Sequence, residues 1–112
     1  MDNTHEEVWL RTKTMDRLLD GNLEELQDGV DNLDTYCYTL RMYAEWMMGI
    51  VGPGSTTYSE FAKLKDGFLT FEVLLSLDDR DVTGYVRGNL YSQVRQFRRV
   101  VGILIESLEE VM

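Results

Sequence analysis

Ten apolar or small positions, Leu19, Leu23, Leu26, Val30, Leu33, Cys37, Leu40, Ala44, Met47 and Val51, recur at alternating steps of four and three. That alternation puts all ten on one stripe of an α-helix and predicts a long helix over 22–51. A helix of about 30 residues spans roughly 45 Å. A second seam, Leu90, Val94, Phe97, Val101, Leu104, Leu108 and Val111, repeats the pattern and predicts a long C-terminal helix over 79–112.

Shorter elements fill the rest. Thr4 followed by Glu7 is a capping box for a first helix over 1–21, whose apolar side carries Val8, Trp9, Met15, Leu18 and Leu19. Gly21-Asn22 predicts a break before the long helix, and Gly29 lies inside it at about 1 kcal/mol relative to Ala. Gly52-Pro53-Gly54 ends it. A compact insert follows over 52–78. Thr57 and Glu60 cap a short helix of Tyr58 to Lys65 that closes at Gly67. The run 68–77 suits a helix or a buried strand, and helix is favoured because a lone strand leaves its backbone unpaired. Asp78 or Asp79 caps the last helix. The expected fold is therefore all-α: an antiparallel hairpin of two long helices with short accessory helices, in the manner of a helical bundle.

The long helix is also apolar away from its seam, at Tyr36, Tyr38, Met42, Tyr43, Trp46, Met48 and Ile50. A helix apolar nearly all round is covered on several sides. The first helix and the insert cover part of that surface. A homodimer is expected to cover the rest, which makes Tyr38, Met42, Trp46 and Ile50 a candidate subunit or partner interface.

Composition and charge narrow the function. At 112 residues with 44% hydrophobic residues and mean hydropathy −0.26, the chain suits one folded domain. Its net charge of −9 and pI near 4.4 are opposite in sign to a nucleic-acid-binding or anionic-membrane-binding domain. Neither nucleic acid nor membrane is expected as a direct ligand. The stretch Met1–Glu7 is polar and acidic rather than leader-like, and no apolar run reaches the length of a membrane span. A cytoplasmic location is expected. Cys37 is the only cysteine and lies on the seam, so it is expected as a small core residue.

Asp20, Glu24, Glu25, Asp28, Asp31 and Asp34 form an acidic stretch, with no Lys or Arg between Leu18 and Leu40. Like charges at helical spacing repel, so such a run destabilises the fold unless something positive faces it. Two counterparts are open. One is a basic partner protein docked on this face. The other is internal compensation by Arg87, Arg95, Arg98 and Arg99, since a hairpin turning near Pro53 sets Asp34 beside Arg98.

Catalytic and metal patterns are fragmentary. Glu25 and Asp28, with Glu24 beside them, resemble half of the arrangement in all-α nucleotide pyrophosphohydrolases, which hold Mg²⁺ with acids three apart on neighbouring helices. That resemblance implies a second pair. Glu45 has no acid three residues on, and Glu106 and Glu109 have the spacing only at the end of the sequence. Asp79, Asp81, Thr83, Gly84 and Val86 match part of an EF-hand loop, but its ninth and twelfth positions are Arg87 and Leu90. His5 is the only histidine, which leaves no imidazole-based triad or acid/base pair. No catalytic residue, metal or cofactor is expected.

In small size, acidity and helical pattern the chain is similar in type to phage-type inhibitors that occupy the basic surface of a nucleic-acid enzyme. It is similar in the same way to acidic helical export chaperones. The expected function is non-enzymatic: an inhibitor or DNA-mimic type of interaction protein whose negative face docks a basic, nucleic-acid-binding partner. The alternatives are an acidic chaperone or assembly factor binding through an aromatic and Met groove, and a Mg²⁺-dependent nucleotide pyrophosphohydrolase.

Overall fold

The computed structural model describes residues 4–112; Met1, Asp2 and Asn3, part of the stretch read as non-leader, lie outside the described residues. Four helices follow in order, α1 (His5–Asp28), α2 (Leu33–Val51), α3 (Thr56–Leu75) and α4 (Arg80–Glu110), with no strand among the described residues. Thr4 caps α1 by accepting from the Glu7 amide at 3.1 Å. Asn32, Ser55 and Asp79 cap α2, α3 and α4 in the same way, each side chain accepting from backbone N–H groups of the first turn. The α3 cap is thus Ser55 rather than Thr57.

The expected helix over 22–51 is two helices. Gly21 and Asn22 do not interrupt α1, because Leu19, Leu23 and Leu26 continue to pack toward the core on either side of them. The chain turns instead at Gly29–Asn32. Gly29 takes φ of 106°, which glycine adopts without a Cβ penalty, and its N–H closes the last turn of α1 on the Glu25 carbonyl at 3.0 Å. Nor is the insert compact and broken at Gly67. The seam Phe61, Leu64, Phe68, Phe71 and Leu75 runs through it as one buried stripe of α3. A Cβ at Gly67 would meet the movable end of the Gln93 side chain on α4.

Packing pairs α1 with α4, α2 with α3, and α3 with α4, while α1 and α2 touch only lightly. His5 reaches the Leu108 carbonyl at 2.8 Å and Gln27 donates to Tyr91 at 3.0 Å, so α1 and α4 are antiparallel. Arg41–Glu72 and Lys65–Glu45 ion pairs run α2 antiparallel to α3. Phe97 on α4 packs tilted against Phe61 (5.8 Å) and Phe68 (6.1 Å). The result is an up-down-up-down bundle of 48 × 27 × 20 Å. In place of a hairpin of α2 with α4, each of these helices takes its main neighbour elsewhere: α2 lies on α3, and α4 between α1 and α3.

Both seams face one core. Leu19, Leu33, Cys37, Leu40, Ala44 and Met47 are buried with Leu90, Val94, Phe97, Val101 and Leu104. Leu23, Leu26, Val51 and Leu108 are half-buried against it, and Val111 is exposed. No described helix is long and apolar enough to cross a membrane.

Candidate acidic docking site at the α1–α2 corner

The corner where α1 gives way to α2 gathers most of the acidic stretch. Glu24, Glu25 and Asp28 occupy the end of α1, Asp31 the connection and Asp34 the first turn of α2, all exposed. Glu25 and Asp28 border a cleft of about 490 Å³ that is also lined by Asn22, Asn32, Thr35 and Tyr36, among others. Tyr36 and Asn22, both half-buried, line it from the two helices. The Tyr36 hydroxyl donates to the Asn22 carbonyl at 3.1 Å and accepts from the Asn22 amide at 2.9 Å. Burial raises the Tyr36 pKa, as does the nearby Glu25 carboxylate, against the lowering effect of the Asn22 hydrogen bond. Asn22 Oδ1 is buried without a hydrogen-bond partner among the described residues.

Compensation by arginine reaches only one end of the acidic stretch. Arg98 donates from Nε to Asp16 at 3.1 Å and from Nη1 to Asp20 at 2.8 Å, and its pKa is raised chiefly by the Asp16 hydrogen bond. Asp20 therefore belongs to an α1–α4 clamp rather than to the open corner. Asp34 does not meet Arg98, because α2 lies on α3. Arg87 comes to the corner but gives its hydrogen bond to the Val30 carbonyl at 2.9 Å. Arg95 and Arg99 line one cleft with Ser92 and Gln96 and a second with Asp16 and Leu23 of α1, without an ion pair to a carboxylate among the described residues. Among the described residues, no Lys or Arg nitrogen lies within 4 Å of the Glu24, Glu25, Asp28, Asp31 or Asp34 carboxylates.

The candidate interface on α2 divides. Tyr38, Met42 and Trp46 are exposed at 49%, 39% and 40%, whereas Ile50 and Tyr43 are half-buried against the core. Tyr38 lies under the Arg41 guanidinium, 5.1 Å from its ring centre, and Arg41 in turn pairs with Glu72. Sequence periodicity missed this link, since it depends on α3 as the neighbour of α2.

The fragments of metal chemistry are dispersed. Glu45 faces Lys65, and Glu109 accepts from Trp9 Nε1 at 3.2 Å at the opposite end of α1 from Glu25 and Asp28. Asp79 is an N-cap, and Asp81, Thr83, Gly84 and Val86 lie within α4 rather than in a calcium-type loop. Among the described residues, no three His, Cys, Asp or Glu side chains are grouped to hold a metal ion. Burial pushes the Cys37 thiol up to about 12, with Glu72 and Asp34 adding to the shift.

Compared with protein-family models, curated proteins and solved structures, the chain matches none.

Proposed function

We propose that this chain is a non-enzymatic interaction protein that docks a basic partner, of the kind that otherwise binds nucleic acid, on its α1–α2 corner. The observation that carries this reading is the contrast along the acidic stretch. Asp16 and Asp20 are clamped by Arg98, whereas the five carboxylates beyond them are exposed with no cation within 4 Å. Glu25 and Asp28 also stand in the last turn of α1, where the helix dipole already places negative charge and no basic residue offsets it. Such placement works against the fold and favours an external cation. A group of exposed carboxylates with no cation of its own within 4 Å suits the Lys and Arg of a nucleic-acid-binding surface.

Capture from the source cell tests this. Reversing Glu24, Glu25, Asp28 and Asp31 to Lys is expected to abolish capture of the partner while the chain stays folded. Wild-type capture is expected to weaken steeply with ionic strength. A folded reversed variant that retains its partner overturns the reading.

A further inference from the structure

Asp34, Tyr38, Met42, Trp46 and Ile50 stand at successive steps of four along α2 and form one ridge on that helix. Its first member belongs to the acidic corner, its next three are exposed, and its last turns back toward the core. On α2 the charged site and the apolar row are therefore continuous. An aromatic and thioether row in which Tyr38, Met42 and Trp46 are exposed is the composition that concentrates binding energy at interfaces. A purely ionic partner would leave it uncovered.

We infer that the ridge receives an amphipathic helix of the partner, its apolar side on Tyr38, Met42 and Trp46 and its Lys or Arg residues toward Asp28, Asp31 and Asp34. This rests on the docking reading above and specifies the element that docks. Charge selects the occupant. A second copy would bring another net charge of −9 to the same ridge, whereas a basic segment meets the unpaired carboxylates at its end. Helix-on-helix docking through residues at steps of three and four is a common way to bury such a row.

The test uses two fluorescently labelled 18-residue peptides, an amphipathic helix of Leu and Lys and an oligolysine control, with anisotropy as the readout. The Leu/Lys helix is expected to bind at least about tenfold tighter than oligolysine, a difference of about 1.4 kcal/mol. The triple variant Tyr38→Ser, Met42→Gln, Trp46→Gln is expected to remove that excess and keep the oligolysine affinity. Val73→Ser with Ile103→Ser, at exposed apolar positions on other helices, is expected to leave the excess intact. In a Trp9→Phe background, Trp46 emission is expected to shift to the blue with the Leu/Lys helix and not with oligolysine, a readout that needs no ridge variant to fold. Equal affinity for the two peptides, or an excess that survives the triple variant, overturns the ridge proposal and leaves acidic docking standing. Failure of wild type to bind oligolysine at low salt removes the docking reading as well. A dimer in sedimentation that dissociates in the triple variant assigns the ridge to a second copy and also overturns the proposal.

Discussion

The Tyr36 hydroxyl on α2 both donates to the Asn22 carbonyl on α1 and accepts from the Asn22 side-chain amide. This reciprocal pair bridges two helices that otherwise touch only lightly, so it holds the α1 and α2 walls of the cleft, Glu25 and Thr35 among their residues, in place. Tyr36→Phe keeps the ring and removes both bonds. It leaves the Asn22 amide without a partner beside its already unpaired Oδ1. A loss of about 1–3 kcal/mol is expected in urea unfolding. A change below a few tenths would show that water replaces the hydroxyl and that the pair does not brace the corner.

Neutralising acids separates the clamped from the open end of the stretch. Asp20→Asn removes a half-exposed partner of Arg98 and is expected to lower stability by under about 1 kcal/mol. Asp28→Asn, in the last turn of α1 with no Lys or Arg nitrogen within 4 Å among the described residues, is expected to leave stability unchanged or raise it by a few tenths of a kcal/mol. Denaturant midpoints measured on both variants decide it. Equal losses would mean that the corner acids also hold the fold together.

Glycine substitutions report where the chain turns. Gly21 and Gly49 lie within helices, and a Cβ at either meets no atom within 4 Å. Gly21→Ala and Gly49→Ala are each expected to stabilise by about 0.5–1 kcal/mol through helix propensity. Gly29→Ala places a Cβ at φ 106° and is expected to destabilise by about 1 kcal/mol or more. Thermal melts of the three variants test the placement of the α1–α2 connection directly.

Cys37 is expected to be inert while the chain is folded. With its pKa raised to about 12 by burial, alkylation by iodoacetamide at pH 8 should be at least about tenfold slower than in the urea-unfolded chain, where the thiol titrates near 8.5. The same shift carries a pH dependence. A thiol whose folded pKa lies above its unfolded value favours the fold below pH 8.5, and that contribution is lost as pH rises toward 12. Tyr36, also raised by burial, adds in the same direction. Stability is therefore expected to fall over this alkaline range, and Cys37→Ala should flatten the slope. A slope unchanged in that variant would assign the alkaline loss to other groups.

The sequence by itself determined the helical character of the chain and most of its core. Steps of three and four placed Leu19, Leu33, Cys37, Leu40, Ala44, Met47 and the row from Leu90 to Leu104 inside, because a stripe of that period can be buried only as a helix. The Thr4 cap and Asp79 were legible for the same local reason: a short oxygen-bearing side chain satisfies first-turn amides wherever the helix then goes. The turn at Gly29–Asn32 was not legible from periodicity, because a four-residue connection between two helices facing one core preserves the seam through Val30 as a continuous helix would. Gly21 and Gly29 look alike as residues, and only packing of Leu23 and Leu26 on one side and the positive φ on the other distinguishes them. Pairing between helices was decided by tertiary structure alone. Arg98 reaches Asp16 and Asp20 and leaves Asp34 open because α4 lies against α1, with α2 on α3. The acidic residues were visible in the sequence; which of them face a cation depends on which helices become neighbours, and single-helix periodicity carries no information about that.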